Sequence, residues 1–123
     1  MSNILSKFVD FVDYLVLGNV EYRDECTVIT SYNIKPNSKE KFIEFMKSES
    51  GIVLTRKSNG CFHANLYEDI HNDDTIFVIE QWENPQKHQS YLNSTMKETF
   101  DKIINEYMAD DIHFTYMKYN SDV

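Results

Sequence analysis

Apolar residues recur along this chain at two spacings, three to four residues and two residues. The switches between them mark out its elements. Ile4, Leu5, Phe8, Phe11, Val12 and Leu15 fall on one helical face, with Lys7, Asp10 and Asp13 opposite. Ser2 stands where a cap would open this helix, and Gly18-Asn19 where it would end. Its apolar face is expected to dock on the rest of the molecule; the alternative is a tail without a role. Residues 25–34 (ECTVITSYNI) are rich in β-branched side chains and predict a strand. Lys35-Pro36-Asn37 turns the chain, and Asn37 with Glu40 predicts a capping box. Phe42, Ile43, Phe45 and Met46 then form a helical stripe. Gly51 breaks it before a short turn over residues 52–56. Residues 60–68 (GCFHANLYE) and 75–82 (TIFVIEQW) predict a hairpin across the polar turn 69–74. Asn84-Pro85 opens a short helix to about residue 92. Thr95 with Glu98 predicts a second capping box and a helix through about residue 108, and 112–119 (IHFTYMKY) the last strand.

The resulting order, β-α-β-β-α-β, predicts an α+β fold of the ferredoxin-like kind. It has a four-stranded antiparallel sheet in the order 4-1-3-2, with the helices on one face. Residues 1–22 are then a helical extension and 23–123 the domain. Alternation divides the strands into two faces. Phe62, Ala64 and Leu66 are expected under the helices, and Cys61, His63, Asn65 and Tyr67 on the other side. Ile29, Ser31 and Asn33 match the second set. Phe77 and Ile79 alternate with Ile76, Val78, Glu80 and Trp82. The face away from the helices therefore mixes aromatics with polar groups, where a solvated face would carry mostly Lys, Glu and Thr. Such a patch predicts an interface, and a second copy of the sheet would cover it. The enclosed space would suit a small molecule.

Charge narrows the partners. A formal net charge of −8 opposes binding to nucleic acid or to an anionic membrane. Cys26 and Cys61 form no metal-binding spacing with each other or with histidine, and predict a reducing, cytoplasmic setting. No basic stretch precedes the apolar N-terminal run and two Asp interrupt it, so neither a signal peptide nor a membrane span is expected.

The stretch GC…LYED…FVIEQWENPQKHQSYLNS resembles the antibiotic biosynthesis monooxygenase family, over about residues 27–119. Gly60-Cys61 and Glu80-Gln81-Trp82 are its most specific parts. The resemblance implies a dimeric α+β barrel of two facing sheets. It also implies oxidation of a small hydroxylated aromatic or quinol by O₂ without a cofactor. A non-catalytic barrel that binds a small molecule or a partner is the alternative. Many members place a His nine residues after the Trp; this chain has Tyr91 there, and His88 one turn earlier. His88 could substitute, or be a surface residue. The helix ligand of the haem-degrading branch aligns with Asp101, a poor haem ligand, so no cofactor is expected.

Such an oxygenase needs a group that takes the substrate proton, because the anion then reacts with O₂. His63 is the candidate base and Asn65 the group that steadies the anion, both on the predicted cavity face. Ser31, Asn33, Tyr67, Trp82, His88 and Tyr91 are candidate substrate contacts, with Trp82 completing the same cavity wall. Packing or dimer-seam roles are the alternatives for each, and for Glu80. The acidic turn at Glu68, Asp69, Asp73 and Asp74 reads as a solvated loop and no metal site is expected.

Overall fold

A computed structural model describes residues 25–123. The predicted N-terminal helix, and the docking of Phe8, Phe11, Val12 and Leu15, lie outside the described residues. The elements follow the expected order. β1 (Cys26–Asn33) leads to α1 (Lys39–Lys47) and the short α2 (Ile52–Lys57). β2 (Cys61–Glu68) and β3 (Thr75–Trp82) form the hairpin. α3 (Pro85–Leu92) and α4 (Thr95–Ile104) come next; a single 3₁₀ turn (Asn105–Tyr107) leads to β4 (His113–Met117). The strands lie in the order β2-β3-β1-β4, every neighbouring pair antiparallel, as alternation and connectivity predict. None of the described helices is long and apolar enough to cross a membrane.

Local chemistry sets the helix ends, at places not all foreseen. Asn84 caps α3 as expected, its side-chain oxygen accepting from the Lys87 N–H at 2.8 Å, with Pro85 in the first turn. The other two predicted caps are displaced. Ser94, not Thr95, caps α4, accepting from the Lys97 N–H at 3.1 Å. The capping residue of α1 is Ser38, whose side chain makes no cap bond; Asn37 instead takes a left-handed turn conformation at φ 66°. Gly60 also has positive φ, 90°, and a Cβ there would lie 2.6 Å from the Lys87 Cβ. Its lack of a side chain lets β2 start hard against α3.

The helices cover one face of the sheet. Tyr32, Ile34, Phe42, Met46, Ile76 and Phe100 are among the residues of the main core. Burying each such side chain is worth roughly 1.5–3 kcal/mol before entropy is counted. A smaller cluster of Cys26, Val28, Trp82 and Tyr91 closes one end. Strand β2 departs from simple alternation. A bulge between Cys61 and His63 inserts Phe62, so Cys61 pairs with Trp82 while His63 pairs with Gln81. Cys61 therefore packs on both clusters under the helices instead of beside His63. Phe62, expected under the helices, is 37% exposed. Cys26 and Cys61 oppose Trp82 from the two flanking strands. They are thus two strand spacings apart, about 10 Å, beyond the reach of a disulfide, and both are free.

Candidate functional site

The pocket lies between the helices and the sheet. Strand β3 sends Glu80 and Trp82, two residues apart, into the helix-covered face, where Trp82 is fully buried and Glu80 is 5% exposed. Trp82 Nε1 donates to Glu80 Oε1 at 2.6 Å. From α3, His88 and Tyr91 come down one turn apart onto the same surface. His88 packs edge-on to the Trp82 ring, and Tyr91 lies tilted over it at 5.3 Å between ring centroids. His88 Nε2 stands 3.9 Å from Glu80 Oε1. On its other side His88 Nδ1 meets the Tyr116 hydroxyl at 2.8 Å, which in turn accepts from Gln89 Nε2. With Tyr116 donating to Nδ1, the His88 N–H lies on Nε2, the nitrogen nearer Glu80; in the other tautomer Nδ1 donates to Tyr116. Tyr91 OH bonds Thr55 Oγ1 at 2.8 Å. Lys97, from the first turn of α4, pairs with Asp101 at the rim at 2.7 Å. Glu80, His88, Tyr91, Thr55, Lys97 and Asp101 line a cavity of ≈190 Å³, with Thr30, Phe100 and Phe114 also in its walls; Trp82 and Tyr116 pack behind this lining.

Burial dominates the electrostatics. It raises the proton affinity of Glu80, against the opposing effects of the Trp82 hydrogen bond and the Lys97 charge. It pushes His88 down to about 4, with the Lys97 charge acting in the same direction. The imidazole is therefore uncharged at neutral pH, and the 3.9 Å contact is not an ion pair. Burial raises the Tyr91 hydroxyl well above its ordinary range and pushes the Cys61 thiol up to about 12, which makes Cys61 an inert thiol.

The depressed His88 has a measurable consequence. The unfolded chain takes up this proton near pH 6.5 and the folded chain only near 4. Stability from the neutral His88 is therefore complete above about pH 6.5 and lost as pH falls toward 4. Urea unfolding between pH 7 and pH 4 should show a decline that His88→Gln flattens by roughly 1–3 kcal/mol. Parallel curves for the two proteins would contradict the buried, neutral assignment.

The model of the antibiotic biosynthesis monooxygenase family matches residues 26–102, most of the described chain. The chain belongs to the antibiotic biosynthesis monooxygenase family. Solved structures agree in fold. A conserved protein from Methanosarcina mazei Go1 is 18% identical with a TM-score of 0.70, over 78% of this chain and 93% of that one. A crystal structure described as an antibiotic biosynthesis monooxygenase is 19% identical with a TM-score of 0.68, over 77% and 98%. Rv0793 from Mycobacterium tuberculosis is 15% identical with a TM-score of 0.68, over 79% and 96%. No curated protein matches the chain.

In this family member the residues singled out from sequence separate into two groups. His88 and Tyr91 line the pocket, and Trp82 packs against both from behind it. Ser31, Asn33, His63, Asn65 and Tyr67 lie on the opposite, open face, where His63, Asn65 and Tyr67 are exposed. Trp82 and His63 were expected to share one cavity wall. The register places them on opposite sides of the sheet, because His63 pairs with Gln81 and not with Trp82. Asn33 is held by Asp110 and Thr75, and Asn65 accepts from Arg56 Nη2 at 3.4 Å. Glu80, Lys97 and Thr55 line the pocket without having been singled out as site residues from sequence, and Tyr116 bonds His88 beside it. For Glu80 a signal existed: it shares strand parity with Trp82. A haem does not fit the pocket, since ≈190 Å³ is too small for a tetrapyrrole and Asp101 is paired with Lys97. Among the described residues no three His, Cys, Asp or Glu side chains cluster to hold a metal ion.

Proposed function

We propose that this chain is a cofactor-independent monooxygenase of a small hydroxylated aromatic or quinol, working in the pocket lined by Glu80, His88 and Tyr91, with Trp82 packed behind them. The observation that carries the reading is the buried Glu80, with uncharged His88 3.9 Å away, at the end of an aromatic-walled cavity. A hydroxyl oxygen placed to one side of that gap reaches both groups at about 2.8 Å, a good hydrogen-bond length. Glu80, whose proton affinity burial raises, takes the substrate proton; His88 Nε2–H donates to the oxygen left behind. The Tyr91, Phe100 and Phe114 rings in the cavity wall offer apolar surfaces to the substrate ring. The anion then reacts with O₂. For a phenol the reaction balances without an outside reductant: a ring C–H becomes C=O using one oxygen atom. The other oxygen leaves as water with the two hydrogens the substrate loses.

Oxygen uptake with a panel of catechols and hydroquinones tests the reading. Uptake that disappears in Glu80→Gln supports it, and no uptake with any member of the panel removes it. Tyr91, standing where many relatives carry His and bonded to Thr55, favours a second reading, a binding protein without turnover. Ligand binding without oxygen use would select that one.

The same reading takes the open face as the seam of a dimer. Phe77 and Ile79 are half-buried there, and Tyr67 and Met117 are 49% and 41% exposed. Sedimentation at micromolar concentration should give the mass of two chains, and Ile79→Lys should give one. An interface of this kind buries on the order of 1,000 Å² or more, so a stable parent monomer would exclude it.

A further inference from the structure

We infer that the pocket selects a single-ring phenol and holds it as the phenolate, with the Lys97 ammonium as its counter-charge. The inference rests on the pocket assignment above and is independent of whether oxygen is consumed. One support is size. A cavity of about 150 Å³ accepts benzene, so ≈190 Å³ is matched in size to one substituted ring. The other support is Lys97 itself. Lysine is among the residues least often buried, yet this side chain is 10% exposed. Its Nζ stands 4.3 Å from the centre of the Phe100 ring and 5.7 Å from that of Tyr91. Its ion-pair partner, Asp101, is 49% exposed, so solvent weakens that attraction. The Lys97 charge meanwhile acts on the pocket, opposing protonation of both Glu80 and His88.

Charge accounting favours the phenolate. When a phenol enters and Glu80 takes its proton, one negative charge moves from the carboxylate to the phenol oxygen. The total inside the pocket is unchanged, so no second anion has to be buried. A ring without an acidic hydroxyl gains nothing from Lys97. The simpler alternative is that Lys97 only ties α4 together through its i,i+4 pair with Asp101.

The test uses 4-nitrophenol without oxygen, because its phenolate absorbs visible light and its phenol form does not. With the parent protein, the bound dye should be phenolate at a pH where the free dye is mostly protonated. 4-Nitrotoluene, equal in shape but unable to ionise, should bind more weakly. Lys97→Met should weaken dye binding roughly ten- to hundredfold, the usual worth of a hydrogen bond to a charged group. It should leave 4-nitrotoluene binding nearly unchanged. Lys97→Arg should keep most of the preference, and 2-naphthol should fail to compete. Dye bound as neutral phenol to the parent overturns the inference, as does no dye binding at millimolar concentration. An equal loss of both ligands in Lys97→Met, or effective competition by 2-naphthol, overturns it too. The parent measurements need no variant to fold. Phenolate binding without oxygen uptake would keep this inference and remove the oxygenase reading; oxygen uptake without phenolate preference would do the reverse.

Discussion

Glu80→Gln is expected to lower turnover of a responsive phenol or quinol by ~10²–10⁴-fold, the usual worth of a positioned general base. Gln keeps the size of Glu and an oxygen for Trp82 Nε1, which donates to Glu80 at 2.6 Å, so the fold should survive. The substitution removes the proton acceptor and little else. In the parent protein, kcat/KM should rise with pH as Glu80 ionises, above the ordinary carboxylate range because burial holds its proton affinity up. That rise should be absent from whatever activity Glu80→Gln retains. The competing base, His63, stands exposed on the other face of the sheet. A loss on His63→Ala as large as that on Glu80→Gln would move the chemistry to the open face and sink the present assignment.

The largest effect on stability is expected from Trp82→Ala. Trp82 is fully buried and joins Cys26, Val28 and Tyr91 in the smaller core cluster. Removing a buried large aromatic ring typically costs about 3–5 kcal/mol. Here the loss also strips Glu80 of its hydrogen-bond donor inside the protein, which adds a desolvation penalty. For a domain of this size each kcal/mol lowers Tm by about 4–8 °C. A fall of well over 10 °C, by about this scale, should appear by calorimetry. Trp82→Phe should fall between, since it keeps ring contacts with His88 and Tyr91 but loses the N–H. A change under about 1 kcal/mol for Trp82→Ala would show that the cluster is not packed as described.

Strand and helix order were legible because each depends on local pattern. The β-rich run over 75–82 matches the observed bounds of β3, Thr75–Trp82. Asn84-Pro85 marks the start of α3 because the cap and the first-turn proline act within one turn of backbone. The cap of α4 shifted by one residue, since Ser94 and Thr95 offer the same hydroxyl and only the path of the chain chooses between them. The family was legible too, in Gly60-Cys61 and Glu80-Gln81-Trp82.

The site was legible only in part. Trp82, His88 and Tyr91 were singled out from sequence; they pack together, and His88 and Tyr91 line the pocket. Their grouping with His63 and Asn65 was a matter of faces. Alternation states which residues of one strand share a side, and it separated Glu80 and Trp82 from Phe77 and Ile79. It does not state which side the helices cover, nor how one strand's parity is carried to the next. The bulge at Phe62 decides that for Cys61, and the pairing of His63 with Gln81 decides it for the candidate base. Lys97 shows the same division. Its sequence position gives an i,i+4 partner in Asp101; its burial over Phe100 depends on how α4 lies on the sheet. The sequence by itself thus determined the elements, their order and the family, which are set by contacts within a few residues. Tertiary structure alone decided which face became the pocket and which charges it encloses, because burial and proton affinity depend on residues brought together from β3, α3 and α4.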